Sequence, residues 1–319
     1  MKRLEEFILE KLKISKIETN YKPKNKEELV NIIIGEIEAN GPDCSLNHID
    51  VSNITDMSYL FIGGDTKQNQ IEHPILSEFD GDISEWNVSN VTDMKFMFNG
   101  CKYSGKNGDI YNWDVSRVTD MTGMFEYSNY NGDLSKWNVS NVTNMSYMFY
   151  SSEFNNVSDI SDWDVSNVTN MQSMFAHSKY NGDLSKWDVS NVTDMSYLFY
   201  ISEFTGKKGD ISDWDVSSVT DMSDMFYWSK FNGDLSKWDV SNVTNMSYLF
   251  CKCDFDGTHG DISNWDVSNV RNMDGMFMNN SYNGDISNWK INQNTEPSMY
   301  GIFNNSPLRK NPPIWYKKH

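Results

Sequence analysis

The chain has 319 residues, 23% of them charged and 14% aromatic, a composition that excludes a disordered protein. A formal net charge of −18 at pH 7 argues against nucleic acid as a partner, because phosphates repel an acidic surface. No window of the sequence is apolar enough to predict a membrane span, and four cysteines are too few to predict a disulfide framework in a chain of this length.

Residues 1–43 predict a helical cap at the N-terminus. Four apolar residues with helical spacing predict a first helix: Leu4, Phe7, Ile8 and Leu12. A second helix is expected to begin at Asn25, with Glu28 placed as in a capping box, and to end at Gly41 and Pro42. Its apolar residues are Leu29, Val30, Ile33, Ile34 and Ile37. These helices are expected to cover the open end of a repeat array, or else to form a partner-binding or oligomerising arm.

Residues 44–303 repeat one sequence unit about ten times. Nine tryptophans share one column of the repeat: Trp86, Trp113, Trp137, Trp163, Trp187, Trp214, Trp238, Trp265 and Trp289. Short spacings of 24 residues alternate with long ones of 26 or 27, so that two units form a longer repeat of 50 or 51 residues. Trp228 and Trp315 lie outside this column. A stack of such units is one domain whatever its length, and residues 304–319 are expected to form a C-terminal cap with a basic tail.

The first half of each unit predicts a short β-strand. Ile83, Trp86 and Val88 have the spacing of a strand in which Trp86 and Val88 point inward. The pair Gly81–Asp82 before them predicts a tight turn, because glycine permits a sharp backbone and an aspartate side chain can bond local amides.

The second half of each unit predicts one helical turn. Met94, Met97 and Phe98 follow the spacing i, i+3, i+4 of a helical face, and Thr92 or Asp93 is placed to cap the turn. The linkers that follow carry aromatic residues that are expected to cover the edge of the core: Tyr103, Tyr130, Phe154, Tyr180, Phe204, Phe231, Phe255 and Tyr282.

The amino-acid sequence of the unit resembles that of a known repeat family. Residues 83–101 read ISEWNVSNVTDMKFMFNGC, which resembles the BspA-like bacterial leucine-rich repeat in its W-D-V-S-N-V-T-D-M subtype, found in bacterial surface proteins and lipoproteins. The resemblance covers about residues 44–303. It implies an α/β leucine-rich-repeat solenoid, with short parallel strands on one face and helical turns on the other, and a role in adhesion or surface recognition.

The location of the protein is predicted in two ways. The N-terminal sequence MKRLEEFILEKLKISK lacks the unbroken apolar core of a secretory signal, so the chain as written is expected to be cytoplasmic. The family resemblance instead implies a cell-surface or secreted protein if the start of the chain is truncated.

The outward positions of the predicted strands form a candidate binding face. One column is acidic or amidic throughout: Asn87, Asp114, Asn138, Asp164, Asp188, Asp215, Asp239 and Asp266. Neighbouring strands lie about 4.8 Å apart, so this column would form a stripe that attracts a basic partner. Beside it, Lys136, Lys186 and Lys237 alternate along the chain with Asp162 and Asp213 and predict salt bridges between neighbouring units. The alternative is a solvated ladder without a ligand.

The sequence assigns no residue to catalysis, to a cofactor or to a metal. Repetition gives each polar residue equivalent copies, whereas a catalytic site needs unlike groups in unlike environments. Turn closure explains the column of Asp82 better than calcium binding does, and a loop thiol pair explains Cys251 and Cys253 better than zinc binding does. The long linker at residues 62–80 is expected to be a functional loop or to help seat the N-terminal cap.

Together these features predict a non-enzymatic repeat protein that binds a protein or glycan ligand, with a basic ligand suiting the acidic face. The alternative is a structural or self-assembling scaffold without a dedicated ligand, in which copies of the array pack together.

Overall fold

Each repeat unit forms one coil of the chain, and successive coils stack on one another. The computed structural model describes residues 21–63, 73–155, 158–292 and 297–316. Within them, single parallel bridges join the same position of consecutive coils in a continuous series that runs from Asp56–Asp93 to Asn272–Ser298. The described residues contain one α-helix, α1 (Lys26–Asn40), and two 3-10 helices, Pro74–Glu78 and Pro307–Arg309.

The predicted α/β leucine-rich-repeat fold is therefore wrong. In the described part of the chain the bridges are isolated and no β-sheet forms, while the predicted helical turns are series of single turns. The coils are built from turns throughout, and hydrogen bonds between coils hold the stack together.

The predicted strand does not form because the backbone turns twice within it. The amide of Trp86 donates to the carbonyl of Ile83 at 3.2 Å, and the amide of Val91 donates to the carbonyl of Val88 at 2.8 Å. Each of these bonds closes a turn and prevents extension. The predicted alternation of burial is nevertheless present, because Trp86 and Val88 are buried while Asn87 between them is exposed.

The predicted helical turn does not form, because its amides donate alternately to carbonyls of two different coils. The amides of Phe96 and Phe98 donate to carbonyls of the next coil at 2.7 and 2.9 Å. Those of Met97 and Asn99 donate within their own coil, to carbonyls three residues earlier, at 3.2 Å each. An α-helix would need all four amides to bond four residues back along the same chain segment.

The predicted turn-closing aspartates are confirmed. Oδ1 of Asp82 accepts from the amide of Ser84 at 3.0 Å, and Oδ1 of Asp93 accepts from the amide of Lys95 at 3.0 Å. Asp93 is thus the capping residue of the second half of the unit. Thr92 instead donates its hydroxyl to a carbonyl of the preceding coil at 3.3 Å, so its column bonds one coil to the next.

Two positions of the turn series have a left-handed backbone in the coils from Phe96 onward. In the part of the chain that the structure describes, fifteen non-glycine residues have φ between 49° and 58°, including Tyr147, His177, Tyr197 and Trp228. Bulky residues rarely adopt this conformation, which costs about 1 kcal/mol or more each. The amides at these positions donate to the next coil, as those of Tyr147 and His177 do at 2.8 and 2.7 Å, and these bonds offset the strain.

The core consists of side-chain columns that run along the stack. Phenylalanines from Phe61 to Phe303 follow one another with ring centroids 5.5–6.1 Å apart. The linker aromatics, predicted to cover the edge of the core, are at most 1% exposed. They form a second aromatic column beside the phenylalanines, with centroids 4.1–5.2 Å from them.

The tryptophan column is buried and hydrogen-bonded to the coil before it. Each indole Nε1–H donates to a backbone carbonyl of that coil at 2.8–3.2 Å, from Trp86 to Trp315. The sequence placed Trp315 outside this column, which is wrong. Trp315 donates to the carbonyl of Ile286 and stacks on Trp289 at 6.1 Å, so the C-terminal segment continues the stack.

Helix α1 covers the N-terminal end of the stack with the face formed by Leu29, Ile33 and Ile37. Oδ1 of Asn25 accepts from the amide of Glu28 at 2.9 Å, as predicted, and Oε2 of Glu28 accepts from the amide of Lys24 at 2.9 Å. Gly41 ends the helix with φ 87°. The helix predicted from Leu4, Phe7, Ile8 and Leu12 lies outside the described residues.

The end of the long linker contacts this cap. The 3-10 helix Pro74–Glu78 packs against α1, which supports the interpretation that the linker at residues 62–80 helps to seat the cap. Residues 64–72 of that linker lie outside the described residues.

The repeat of two units has a packing cause. From Phe96 to Gly275, the first left-handed position alternates between a ring and a small or short side chain. The rings of Phe96 and Tyr248 lie over Gly123 and Gly275 of the next coil, where an added Cβ atom would overlap them. From Phe96 to Gly275 a ring in one coil is thus followed by a short residue in the next, and the pattern recurs every second coil. At the N-terminal end of the array it does not hold, because Tyr59 and Phe96 are rings in consecutive coils and stack with centroids 5.2 Å apart.

Candidate functional site

All eight predicted members of the acidic column are exposed, in consecutive coils: Asn87, Asp114, Asn138, Asp164, Asp188, Asp215, Asp239 and Asp266. In every one, Oδ1 accepts from the backbone amide two residues later at 3.0–3.2 Å. Hydrogen bonds from the serine hydroxyl and amide lower the pKa of Asp164, Asp215 and Asp266. The column therefore has a structural task in each turn, and its role in binding stays a prediction.

Two of the predicted salt bridges between coils are confirmed. Nζ of Lys186 lies 2.6 Å from Asp162, and Nζ of Lys237 lies 2.6 Å from Asp213. Lys136 lies instead over the ring of Tyr111 in the preceding coil, 4.2 Å from its centroid. These lysines thus offset the charge of the acidic surface.

A second surface consists of exposed and half-buried rings on the turn series. We call it the ring face; its members, drawn from six consecutive coils, are Tyr127, Tyr147, Tyr150, His177, Tyr197, Tyr200, Tyr227, Trp228 and Tyr248. Tyr127, Tyr150, His177, Tyr200 and Tyr227 contact one another in that order, with centroid distances of 4.9–5.4 Å. The rings therefore form one continuous row across the coils.

The ring face is solvent-accessible although its residues are large. Tyr127 is 55% exposed and Trp228 is 58% exposed, in contrast to the column tryptophans at 3–4%. Both have a left-handed backbone, with φ 54° and 49°. Rings held outward at a conformational cost are the kind of strained feature that clusters at ligand sites.

Two carboxyl groups lie within the ring face. Burial raises the pKa of Glu126 to about 7, against a hydrogen bond from Asn99 that lowers it. Burial also raises the pKa of Asp224 to about 6; a hydrogen bond with Tyr197 lowers it and the charge of Asp221 raises it. Burial lowers the pKa of His177. Near neutral pH these shifts leave Glu126 partly protonated and His177 uncharged, while Asp224 is mainly ionised.

The raised pKa of Asp224 predicts a pH-dependent gain in stability for Asp224→Asn. Because its pKa in the folded state exceeds the unfolded value of about 3.9, the folded state binds more protons, and stability falls as the pH rises from about 4 to about 6. Asp224→Asn removes this loss, and we expect the variant to exceed the wild type by about 1 kcal/mol at pH 7 and by little at pH 4.

Urea denaturation at the two pH values measures this difference, with Asp164→Asn as the matched control. The pKa of Asp164 is lowered, so its contribution has the opposite sign and no gain at pH 7 is expected. An Asp224→Asn variant that is no more stable at pH 7 than at pH 4, relative to the wild type, would contradict the prediction.

Sequence reasoning missed the ring face because, of the recurring aromatic residues, it considered only the tryptophan column and the linker aromatics and assigned both to the core. The sequence does contain an indication of the ring face, because the segments MFYSS, MFAHS, LFYIS and MFYWS place a ring one or two residues after the core phenylalanine. His177 and Trp228 point out of the core from a left-handed backbone, and no helical or strand periodicity describes that geometry.

The cysteines offer no reactive site. In the described residues all four are free, and Cys101, Cys251 and Cys253 are buried. Burial raises the pKa of Cys251 to about 11 and those of Cys101 and Cys253 to about 12, so their thiolates are scarce at neutral pH. No group of three metal-ligating side chains converges in the part of the chain that the structure describes. No helix among the same residues is long and apolar enough to cross a bilayer.

The comparisons with curated proteins and with solved structures found no match. One family matches three times, over residues 37–158, 100–208 and 200–315, and is described as "Mycoplasma protein of unknown function, DUF285". The three matches overlap and extend along most of the array, as expected for a family of repeated units. The chain therefore belongs to this family of repeat-containing proteins.

Proposed function

We propose that this chain is a non-enzymatic recognition protein that binds an extended protein or glycan ligand along its ring face. The observation that carries the proposal is the continuous row of accessible rings across five coils, from Tyr127 to Tyr227. Tyrosine and tryptophan provide large contact areas at a low cost in side-chain entropy, and they are enriched at the centres of binding interfaces.

The ring face suits this role better than the acidic column does. Each acidic or amidic residue of that column already closes a turn, as Asp188 does for the amide of Ser190. The exposed tyrosines and Trp228 close no such turn, and a left-handed backbone with a ring in place of glycine costs stability. A feature that costs stability without supporting the core is best explained by a function on the surface.

The resemblance of the repeat wording to BspA-like bacterial surface proteins supports the same proposal. It points to adhesion or surface recognition as the biological setting, with the ring face as the contact surface. A long, regular array offers many equivalent contacts, which suits a ligand that is itself extended.

The proposal is tested by applying the labelled protein to arrays of extended peptides and of oligosaccharides. We expect a subset of probes to bind the wild type and to bind the triple variant Tyr127→Gly, His177→Gly, Trp228→Gly no longer. Glycine is used because all three residues have a positive φ, which glycine adopts without strain.

The matched control is the triple variant Asp164→Asn, Asp188→Asn, Asp215→Asn. Asn87 and Asn138 show that asparagine closes the same turn, so this variant removes charge and keeps the fold. Equal retention of the ring variant and the wild type would contradict the proposal, as would retention by no probe. Self-association that the ring variant loses would instead identify the alternative, a self-assembling scaffold.

A further inference from the structure

The ring face has a period of two coils. Tyr127, His177 and Trp228 occupy the same position of their units, 50 and 51 residues apart, and all three are exposed. Tyr150 and Tyr200 belong to the intervening coils and are half-buried, so they are less exposed than these three residues. Tyr200 and Tyr227 occupy the same position of consecutive coils with centroids 4.9 Å apart, close to the spacing of hydrogen-bonded chain segments, so exposed rings two coils apart are expected to recur at roughly 9.8 Å on this face.

Neighbouring rings of the ring face lie at steep angles to one another. The ring of Tyr150 lies at 77° to that of Tyr127 and at 67° to that of His177, with centroids 5.2 and 5.3 Å away. The ring of Tyr200 lies at 65° to that of His177 at 5.4 Å. Tyr150 thus lies between two more exposed rings, and Tyr200 lies between His177 and the half-buried ring of Tyr227, on which it stacks at 17°. The surface therefore presents shallow aromatic grooves in series.

The C-terminal end of the row already holds a cation. Nζ of Lys252 lies 5.0 Å from the centroid of Trp228 and 5.5 Å from that of Tyr227. A cation at this distance is attracted by the electron-rich face of the ring. The contact indicates what else these ring faces accept, namely a guanidinium or ammonium group, and the net charge of −18 attracts such groups to the molecule.

We propose that the ring face binds a proline-rich segment with basic residues in the polyproline II conformation. This inference rests on the proposed function and names the ligand class for the same surface. A polyproline II helix has three residues per turn and rises 3.1 Å per residue, so its side chains repeat at roughly 9.3 Å, close to the spacing of the exposed rings. Recognition of such helices commonly uses grooves lined by tyrosine and tryptophan, and the preformed helix loses little entropy on binding.

The regular period favours this ligand over a globular partner. A folded protein presents an irregular surface and has no reason to match a spacing that recurs along the stack. A neutral glycan chain is also periodic, but it would gain nothing from a strongly acidic molecule, whereas arginine or lysine beside the prolines would.

The inference is tested with a peptide of nine prolines flanked by single arginines, titrated into the full chain by isothermal calorimetry. The control peptide keeps the arginines and replaces the prolines with a glycine–serine repeat of equal length. We expect binding of the proline peptide only. His177→Gly and Trp228→Gly are each expected to weaken it about tenfold, since each removes an exposed ring at a position where glycine is unstrained.

Asn279→Gly is the matched control variant, because Asn279 has the same left-handed conformation, with φ 54°, beyond the ring face. It is expected to bind like the wild type. Absence of binding to the proline peptide, or equal binding by all variants, would overturn the inference.

A parallel titration with chitohexaose separates this inference from the function on which it rests. Binding of that glycan which the two ring variants lose, without binding of the proline peptide, would overturn the peptide ligand and support recognition by the ring face. Loss of every ring-dependent signal on the arrays as well would overturn both.

Discussion

Replacing Trp187 with alanine is expected to lower the free energy of unfolding by about 3–5 kcal/mol. The side chain is 3% exposed and stacks on Trp163 at 6.4 Å, and its ring also contacts Phe175 at 6.1 Å. Its Nε1–H donates to the carbonyl of Ile160 at 3.0 Å. The variant loses the buried area, leaves a cavity between two coils and leaves that carbonyl without its indole donor.

Two further variants separate these contributions. Trp187→Phe keeps a ring in the column and loses the indole bond, so we expect a smaller loss, of about 1–2 kcal/mol. Trp228→Gly removes an exposed tryptophan at a left-handed position and is expected to change stability by less than about 1 kcal/mol. Guanidinium denaturation followed by circular dichroism measures all three. A Trp187→Ala variant as stable as Trp228→Gly would show that the column does not hold the stack together.

The second large effect is expected for Gly81→Ala, which should destabilise the protein by about 2–3 kcal/mol. A Cβ atom at Gly81 would overlap the carbonyl oxygen of Cys44, which belongs to the backbone and cannot move as a side chain would. That backbone is fixed, because Cys44 accepts from the amide of Asp82 at 3.2 Å and Leu46 donates to the carbonyl of Asp82 at 2.8 Å. The methyl group therefore separates the first two coils or breaks these bonds.

Gly35→Ala is the matched substitution with the opposite expected sign. Gly35 is exposed within α1, and a Cβ atom there would meet nothing within 4 Å. Alanine is favoured over glycine in a helix by about 1 kcal/mol, so this variant should be more stable than the wild type. Thermal unfolding of the two variants should give melting temperatures on opposite sides of the wild type. A Gly81→Ala variant with an unchanged melting temperature would show that the two backbones are not in close contact.

Much of the packing could be predicted from the sequence, because burial follows from residue type and repetition. Trp86, Val88 and Phe98 are buried as expected, and Asp82 and Asp93 close turns as expected. The backbone conformation could not be predicted in the same way. An alternation of buried and exposed residues is compatible with a strand and also with tight turns, and only the bond from Trp86 to Ile83 distinguishes them.

The candidate site was predicted less well than the core. The acidic column was found because charge is visible in the sequence, yet its oxygens take part in turns. The ring face was missed because tyrosines next to Phe149 and Phe199 look like core residues in a linear sequence. The most exposed rings, Tyr127, His177 and Trp228, have a left-handed backbone, for which sequence offers little signal when the residue is not glycine.

Because a ring alternates with a short residue from coil to coil, the array from Phe96 to Gly275 contains two kinds of coil that follow each other in turn. A duplication or deletion of 50 or 51 residues preserves the match of Phe96 to Gly123 and of Tyr248 to Gly275. A change by one unit between Phe96 and Gly275 would bring two coils of the same kind together and interrupt the regular spacing of the exposed rings at the junction. Within this part of the array, relatives of this chain are therefore expected to differ in length by pairs of units, with a longer array presenting more grooves of the same kind.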